Sequence, residues 1–276
     1  MNVLESIVFG LFSGLSDVLP VSSQAHKAII LKIFGERSEN PVLRLMIHVA
    51  ILAALYYSCS PHIVRIIRQL KLSKIPKRKR RRPLDVQPLM EFKLLRTMII
   101  PVLLSLLLYQ KTADWGTKLN LTAIFLVINA VVLYLPNLLP TGNKDARSMS
   151  GLEGLLMGFG ASLSVLPGVS SVAGALSIAS VCGAERSFAL AITYLMQIVM
   201  TVSLIAFDFA AVFAAGIGGL TAMVLLGYLL ASLAAFMGAF AGIRVMRLLA
   251  VNIGFTIFSA YSFGAALLSF MLYLMV

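Results

Sequence analysis

Apolar residues dominate this chain, and short polar or proline-containing interruptions divide it into segments of two lengths. The longer apolar segments cover 42–59, 94–109, 119–139, 187–207, 211–240 and 248–275, and a helix needs about 20 such residues to cross a bilayer. The shorter ones cover 3–18, 24–34 and 172–182, and each adjoins a polar turn. The pattern therefore predicts an all-α fold, a polytopic membrane protein with one transmembrane domain over residues 1–276.

Composition and charge support a membrane location. Of the 276 residues, 59% are hydrophobic and 12% are charged, whereas soluble domains carry about 25% charged residues. The net charge of +12 is concentrated, because ten of the 23 basic residues lie between Arg65 and Arg82. We interpret 61–93 as a basic loop in which four prolines argue against a long helix. The positive-inside rule places this loop in the cytoplasm, and nucleic acid is not expected as a partner.

The opening of the chain recurs in its second half. Leu4-Glu5 and Gly10 have counterparts in Leu152-Glu153 and Gly158, and the L-P-V-S-S run at 19–23 recurs as L-P-G-V-S-S at 166–171. The repeat predicts two halves, at about 1–140 and 148–276, with the two glutamates capping equivalent helices. Interrupted short apolar segments, one in each half, indicate a site built between the repeats near the membrane midplane.

The polar chemistry of the first half is concentrated between Ser13 and His26. Pro20 should end the helix that runs into it, and Ser22 or Ser23 can cap a second helix that begins near residue 24. A non-helical turn inside a membrane is tolerated where it is buried in protein or lines a water-filled cavity. This turn is therefore a candidate site.

The residue types in this turn suggest nucleophilic catalysis. Ser23 is a candidate nucleophile, with His26 three residues later on the same helix face as base or acid. Asp17 is a candidate to hold a cation or to orient the histidine. The alternative is structural, in which the serines only cap a helix and the carboxylate lies at the aqueous rim.

The two turns together offer groups that suit a phosphate. Ser22, Ser170, Ser171 and the backbone N–H groups after Gly168 are candidates to bind it at a helix N-terminus, although plain capping is an equal alternative. His48 lies inside a predicted span, where it either lines the cavity or bonds to a neighbouring helix. Lys27 and Arg186 are candidate sources of positive charge near the turns.

Together the two motifs resemble the undecaprenyl-diphosphate phosphatase family of bacitracin-resistance membrane proteins. The first family pattern, E-G-x-x-E-F-L-P-V-S-S-T-G-H, corresponds here to S-G-L-S-D-V-L-P-V-S-S-Q-A-H from Ser13 to His26. The second, P-G-x-S-R-S-G-x-T, corresponds to P-G-V-S-S-V-A-G-A from Pro167 to Ala175. The resemblance covers nearly the whole chain.

The resemblance implies two inverted-topology repeats whose re-entrant helix hairpins meet inside the bacterial plasma membrane. It also implies hydrolysis of a polyprenyl diphosphate to the monophosphate, which recycles the lipid carrier of cell-wall synthesis. A divalent cation, Mg²⁺ or Ca²⁺, would be the cofactor, with Asp17 as its ligand. A homodimer is an open option.

Several family positions differ in this chain. Ser13 and Asp17 replace two glutamates, and Ser171 replaces the arginine of the second motif. A guanidinium binds phosphate bidentately, whereas a serine supplies no charge. These departures leave a second interpretation open, a non-catalytic polyprenyl-phosphate-binding protein or flippase of the same fold.

Overall fold

The computed structural model describes residues 1–80, 82–112, 115–116, 118–216, 220–252 and 255–275. Within these residues the chain forms helices and short turns. The helices are α1 (Val3–Val18), α2 (Ser23–Ile33), α3 (Pro41–Ser73), α4 (Gln87–Thr112), α5 (Leu119–Tyr134), α6 (Gly151–Ser162), α7 (Ser171–Val181), α8 (Arg186–Ala215), α9 (Ala222–Asn252) and α10 (Thr256–Leu274). The all-α prediction is confirmed.

Helix length separates the spans from the helices around the site. Helices α3, α4, α5, α8, α9 and α10 each contain a stretch that is long and apolar enough to cross a membrane, which confirms the polytopic prediction. The other four have 16, 11, 12 and 11 residues, too few at about 1.5 Å per residue for a core about 30 Å thick. Each half has three spans, and an odd number of spans places the second half in the membrane in the opposite orientation, as an inverted repeat requires. Re-entrant insertion of the short hairpins stays a prediction.

The two halves have the same order of helices and exchange equivalent contacts. Helix α1 packs against α9, and its counterpart α6 packs against α4. Helices α5 and α10 pack together, as do α3 and α8. Both opening helices begin with a capping box, Asn2 with Glu5 and Ser150 with Glu153, so the predicted caps are confirmed.

Small residues allow α1 and α9 to approach closely. A Cβ added to Gly10 would lie 2.1 Å from the Ala231 carbonyl oxygen, and one added to Gly14 would lie 2.0 Å from that of Ala235. In the other half, a Cβ on Gly158 would lie 2.2 Å from the Met98 carbonyl oxygen. Close backbone approach at small residues is the usual basis of helix association in membranes.

The structure corrects the prediction for the first part of the basic loop. Helix α3 does not end near residue 59 but continues through Pro61 to Ser73. The added turns are stabilised by packing, because Ile66 is buried and Ile63 and Leu70 are partly buried against the core. The prediction is also wrong at the other end, because α4 already begins at Gln87 instead of residue 94. The segment between α3 and α4 therefore covers 74–86.

A second correction concerns the end of α8. The sequence pattern predicts a break at 207–211, which would place Asp208 between spans, but the helix continues to Ala215. Helix α9 likewise continues to Asn252, beyond the predicted end at 240. Asp208 is 2% exposed within α8, where Arg44 and His48 bind it.

Candidate functional site

The two predicted turns form the same local structure. Pro20 follows the end of α1, and Ser22 caps α2 by accepting a hydrogen bond from the Ala25 N–H at 3.3 Å. In the second half, Ser170 caps α7 by accepting from the Ala173 N–H at 3.3 Å. Both serines are buried. The capping alternative is therefore the observed one for the first serine of each pair.

The cap serines also join the two halves. The Ser22 hydroxyl accepts a second hydrogen bond from the Gly168 N–H at 3.1 Å. In return, the Ser170 hydroxyl donates to the Leu19 carbonyl oxygen at 3.4 Å. Each turn thus satisfies a backbone group of the other, which fixes the relative position of the two helix N-termini.

Asn129 of α5 holds both turns together from behind. Its amide nitrogen donates to the Pro20 carbonyl oxygen at 3.2 Å and to the Ser262 hydroxyl at 3.1 Å. Its carbonyl oxygen accepts from the Ser170 N–H at 2.9 Å. The sequence analysis missed this residue, and its only signal was one amide in the middle of an apolar span.

Gly168 has a structural reason to be glycine. Its φ is +116°, and a Cβ there would lie 2.7 Å from Phe125 Cβ and 2.8 Å from the Leu126 nitrogen of α5. Because its N–H is bonded to Ser22, this group is occupied in the structure. Gly168 shapes the turn but is not among the described residues that line the cavity below.

A cavity of about 860 Å³ opens beside the two turns. It is in the size range of small-molecule sites. Of the predicted site residues, the structure brings Asp17, Ser23, His48, Ser170 and Ser171 to its wall. Of the others, Ser22 and His26 lie behind that wall, as does the glycine of the second turn.

Ser23 has an accessible side chain at the first residue of α2. It lines the cavity, and its hydroxyl has no hydrogen-bond partner among the residues that the structure describes. This hydroxyl is free to meet a ligand, as a nucleophile requires. Its catalytic role stays a prediction.

Gln197 of α8 connects Asp17 and Ser171 across the two halves. Its amide nitrogen lies 3.2 Å from Asp17 Oδ2, and its carbonyl oxygen accepts from the Ser171 hydroxyl at 2.8 Å. All three residues line the cavity. The sequence analysis missed this bridging amide, which lies among the apolar residues of a long helix.

His26 is enclosed by protein. Its Nδ1 lies 2.6 Å from the Ser22 carbonyl oxygen, and its Nε2 lies 2.7 Å from the Tyr261 hydroxyl. Since a carbonyl only accepts, Nδ1 carries the proton and the tyrosine donates to Nε2 in the neutral ring. Both ring nitrogens are therefore occupied, and the acid–base role of His26 stays a prediction.

A buried ion network forms one side of the cavity. Arg44 Nε lies 2.6 Å from Asp208 Oδ1, and His48 Nδ1 lies 2.5 Å from Asp208 Oδ2. Lys27 Nζ lies 3.5 Å from His48 Nε2. A carboxylate this deeply buried is stable only when it is paired and hydrogen-bonded. Lys27, Arg44 and His48 line the cavity. His48 therefore both lines the cavity and bonds to a neighbouring helix, the two alternatives that the sequence left open.

A second carboxylate lies across the same two cations. Glu39 Oε2 is 3.6 Å from Lys27 Nζ, and Glu39 Oε1 is 3.8 Å from Arg44 Nη1. The other predicted cation, Arg186, is half-buried at the start of α8 and is not among the described cavity residues. Lys27 therefore supplies positive charge at the cavity and Arg186 does not.

Asp17 is the cavity carboxylate available to a metal ion. The other two, Glu36 and Glu39, pair with the chain's N-terminal ammonium and with the two cations, respectively. The described residues contain no cluster of three side chains that could hold a metal. Mg²⁺ usually takes one or two carboxylates together with phosphate oxygens. Among the described residues Asp17 thus offers one unpaired carboxylate, which is enough only for an ion that brings most of its ligands with it.

The fold and the cavity define an integral membrane protein that encloses hydroxyls and half-buried cations between two repeated halves. The sequence model of the family described as Bacitracin resistance protein BacA matches residues 6–268. The chain belongs to this family, which confirms the resemblance. The six spans and the family agree with a multi-pass protein of the bacterial plasma membrane.

Similar proteins carry the name undecaprenyl-diphosphatase. One from Thermosipho melanesiensis is 24% identical over 268 residues, which cover 96% of this chain and 98% of that protein. One from Methanobrevibacter smithii is 26% identical over 205 residues, 72% of this chain and 73% of that protein. A third, from Nocardioides sp., is 28% identical over 198 residues, 72% and 71% of the two chains.

Proposed function

We propose that this chain hydrolyses a polyprenyl diphosphate, such as undecaprenyl diphosphate, to the monophosphate and so recycles the lipid carrier of cell-wall synthesis. The name of the relatives and the family support this substrate class. The observation that carries the proposal is the cavity itself, where the free Ser23 hydroxyl shares a wall with Lys27 and Arg44.

In the proposed reaction the Ser23 oxygen attacks the terminal phosphorus. A bond forms between serine oxygen and phosphorus, the bond to the bridging oxygen breaks, and the lipid monophosphate leaves with the proton that the serine hydroxyl gives up. Water then cleaves the phosphoserine and releases phosphate. Such transfers depend mainly on positioning and on cations that stabilise the phosphoryl oxygens, which Lys27 and Arg44 provide. His26 as base or acid remains part of the proposal.

A divalent cation, Mg²⁺ or Ca²⁺, fits this proposal as a companion of the substrate. Asp17 would hold it, and the ion would neutralise charge on the diphosphate. Gln197 orients this carboxylate by its hydrogen bond. A homodimer stays a prediction, as does the expectation that nucleic acid is no partner.

The alternative is a non-catalytic polyprenyl-phosphate-binding protein or flippase of the same fold. Ser171 favours it, because the position of the family arginine here holds a hydroxyl that is bonded to Gln197. Such a protein would keep the cavity and its cations but would not turn substrate over.

Phosphate release from a short-chain prenyl diphosphate by the purified protein, with and without Mg²⁺ or Ca²⁺, tests the proposal. We expect multiple turnovers that Ser23→Ala removes. Binding of the lipid without phosphate release would reject hydrolysis and support the alternative. Release that continues unchanged in Ser23→Ala would reject this serine as nucleophile.

A further inference from the structure

We propose that Lys27 and Arg44 are the cations that bind the diphosphate in this chain, and that the Glu39 carboxylate is an internal anion that the diphosphate displaces. The inference rests on the proposed function for the identity of the ligand. It assigns the positive charge that Ser171 lacks to residues of the first half. It also predicts opposite effects for the loss of a cation and the loss of the carboxylate.

Burial distinguishes these two cations from the others at the cavity. Lys32, Arg37 and Lys118 also line it, but all three are exposed. The side chains of Lys27 and Arg44 are only 11% and 26% exposed. Ion pairs of exposed groups contribute little, because water screens them, whereas a less hydrated cation binds phosphate more strongly.

The position of Lys27 along α2 also supports its role as a cation that binds the diphosphate. It lies four residues after Ser23 on α2, so both side chains are on the same face of the helix. Both side chains line the cavity, and the Ser23 hydroxyl has no hydrogen-bond partner among the described residues. A phosphate bound by Lys27 would therefore lie on the side of the cavity that carries Ser23.

Arg44 is held in place by a different carboxylate. Asp208 is 2% exposed and receives bonds at 2.6 Å from Arg44 and at 2.5 Å from His48. Because this contact uses the Arg44 Nε, the guanidinium keeps further N–H groups for another anion. Asp208 is thus a permanent partner that fixes the arginine.

Glu39 has the features of an exchangeable partner. Its contacts of 3.6 and 3.8 Å exceed hydrogen-bond distance. Its Oε2 is buried and accepts no hydrogen bond from any described residue. It belongs to the segment between α2 and α3, of which residues 35–39 line the cavity.

Charge counting favours the exchange. Lys27 and Arg44 carry two positive charges, and Glu39 and Asp208 carry two negative ones, so the network is neutral when His48 is neutral. A diphosphate offers more charge and more acceptor oxygens than one carboxylate. When it replaces Glu39, both cations gain hydrogen bonds in place of long ion pairs.

Binding of inorganic pyrophosphate, measured with Mg²⁺ on the purified protein by isothermal calorimetry, tests the inference without requiring catalysis. Lys27→Gln should weaken binding by about tenfold or more, as expected for a bond between charged groups. Glu39→Gln should tighten it about two- to fivefold, as expected for the loss of long, partly exposed ion pairs. Arg186→Gln and Asp85→Asn remove the same charges far from the cavity and should leave binding unchanged.

Arg44→Gln alone leaves Asp208 without its guanidinium, so it is tested together with Asp208→Asn. The double variant should also weaken pyrophosphate binding. Unchanged binding in Lys27→Gln, weaker binding in Glu39→Gln, or no binding by the unaltered protein would overturn the inference. An unaltered protein that binds pyrophosphate with these sensitivities but releases no phosphate from prenyl diphosphates would instead reject the proposed hydrolysis.

Discussion

Adjacent serines in each turn have different tasks. Ser22 and Ser170 are buried and bond to backbone groups of both halves. Ser23 and Ser171 follow them directly and line the cavity, as does Ser170. In the first half the helix N-terminus thus places the structural hydroxyl of Ser22 and the accessible hydroxyl of Ser23 one residue apart, because successive residues point in different directions around the helix. In the second half Ser171 is buried and its hydroxyl bonds to Gln197.

Replacing Ser22 and Ser23 by alanine, one at a time, should distinguish the serine that stabilises the fold from the serine that acts on the substrate. Ser23→Ala should remove most phosphate release. Its free energy of unfolding should stay within about 0.5 kcal/mol of that of the unaltered protein, as is usual away from buried contacts. Ser22→Ala should instead cost about 0.5–2 kcal/mol, because it removes a cap. Thermal unfolding and phosphate release are measured on both variants, and a destabilised Ser23→Ala would contradict this division.

The pair of His26 and Tyr261 allows a direct test of how the histidine acts. If His26 transfers a proton through its Nε2, the tyrosine must move aside, and Tyr261→Phe should keep activity within about tenfold while His26→Ala loses most of it. If the bond at 2.7 Å positions the ring, both variants should lose activity similarly. The rate of phosphate release is measured for both variants, and an equal loss in the two would contradict proton transfer by His26.

At the scale of helices, glycines fix how α1 and α9 cross. Gly14→Val adds atoms where even a Cβ would lie 2.0 Å from the Ala235 carbonyl oxygen. Overpacking typically costs about 1–3 kcal/mol, so we expect a lower yield of folded protein and a lower melting temperature. Gly264→Ala is the control, because nothing lies within 4 Å of a Cβ there. Equal melting temperatures for both variants would contradict close packing at Gly14.

The helices themselves could be predicted well where local signals act. The sequence predicts 3–18 for the first helix, as observed, because a capping residue precedes it and Pro20 follows it. Pro61 misled the prediction, since the residues after it form a helix with one apolar face that packs on the core. Tertiary packing there outweighs the loss of one backbone hydrogen bond.

The site could be predicted only in part, for a related reason. The motifs identified Ser23, Asp17 and Ser171, which do line the cavity. The predicted segments 187–207 and 211–240 leave Asp208 between spans, whereas the structure buries it within α8. Its partner His48 lies 160 residues away in sequence, and no local pattern reveals that pairing. Gln197 went unnoticed for the same reason.

For the whole molecule, the basic segment predicts the orientation in the membrane. The described part of 74–86 follows α3, and one span separates it from the segment that contains Trp115. In a variant without Cys59 and Cys182, a cysteine at Lys77 should resist an impermeant maleimide in intact cells and react after permeabilisation. A cysteine at Trp115 should show the opposite pattern. Labelling of the first position in intact cells would contradict a cytoplasmic segment.

The bonds between the two turns also bear on how the chain is made. Ser22 and Gly168 are 146 residues apart, and ribosomes add about 5–20 residues per second. Roughly 7–30 s therefore pass between the synthesis of Ser22 and that of Gly168, whose N–H bonds to the Ser22 hydroxyl. During this time the polar groups of the first turn already lie in an apolar hairpin without that partner. During this interval the nascent chain depends on water, lipid headgroups or the insertion machinery to solvate them. Pulse–chase labelling should accordingly show faster proteolysis of chains that stop before residue 150 than of full-length chains, and equal lifetimes would contradict this dependence.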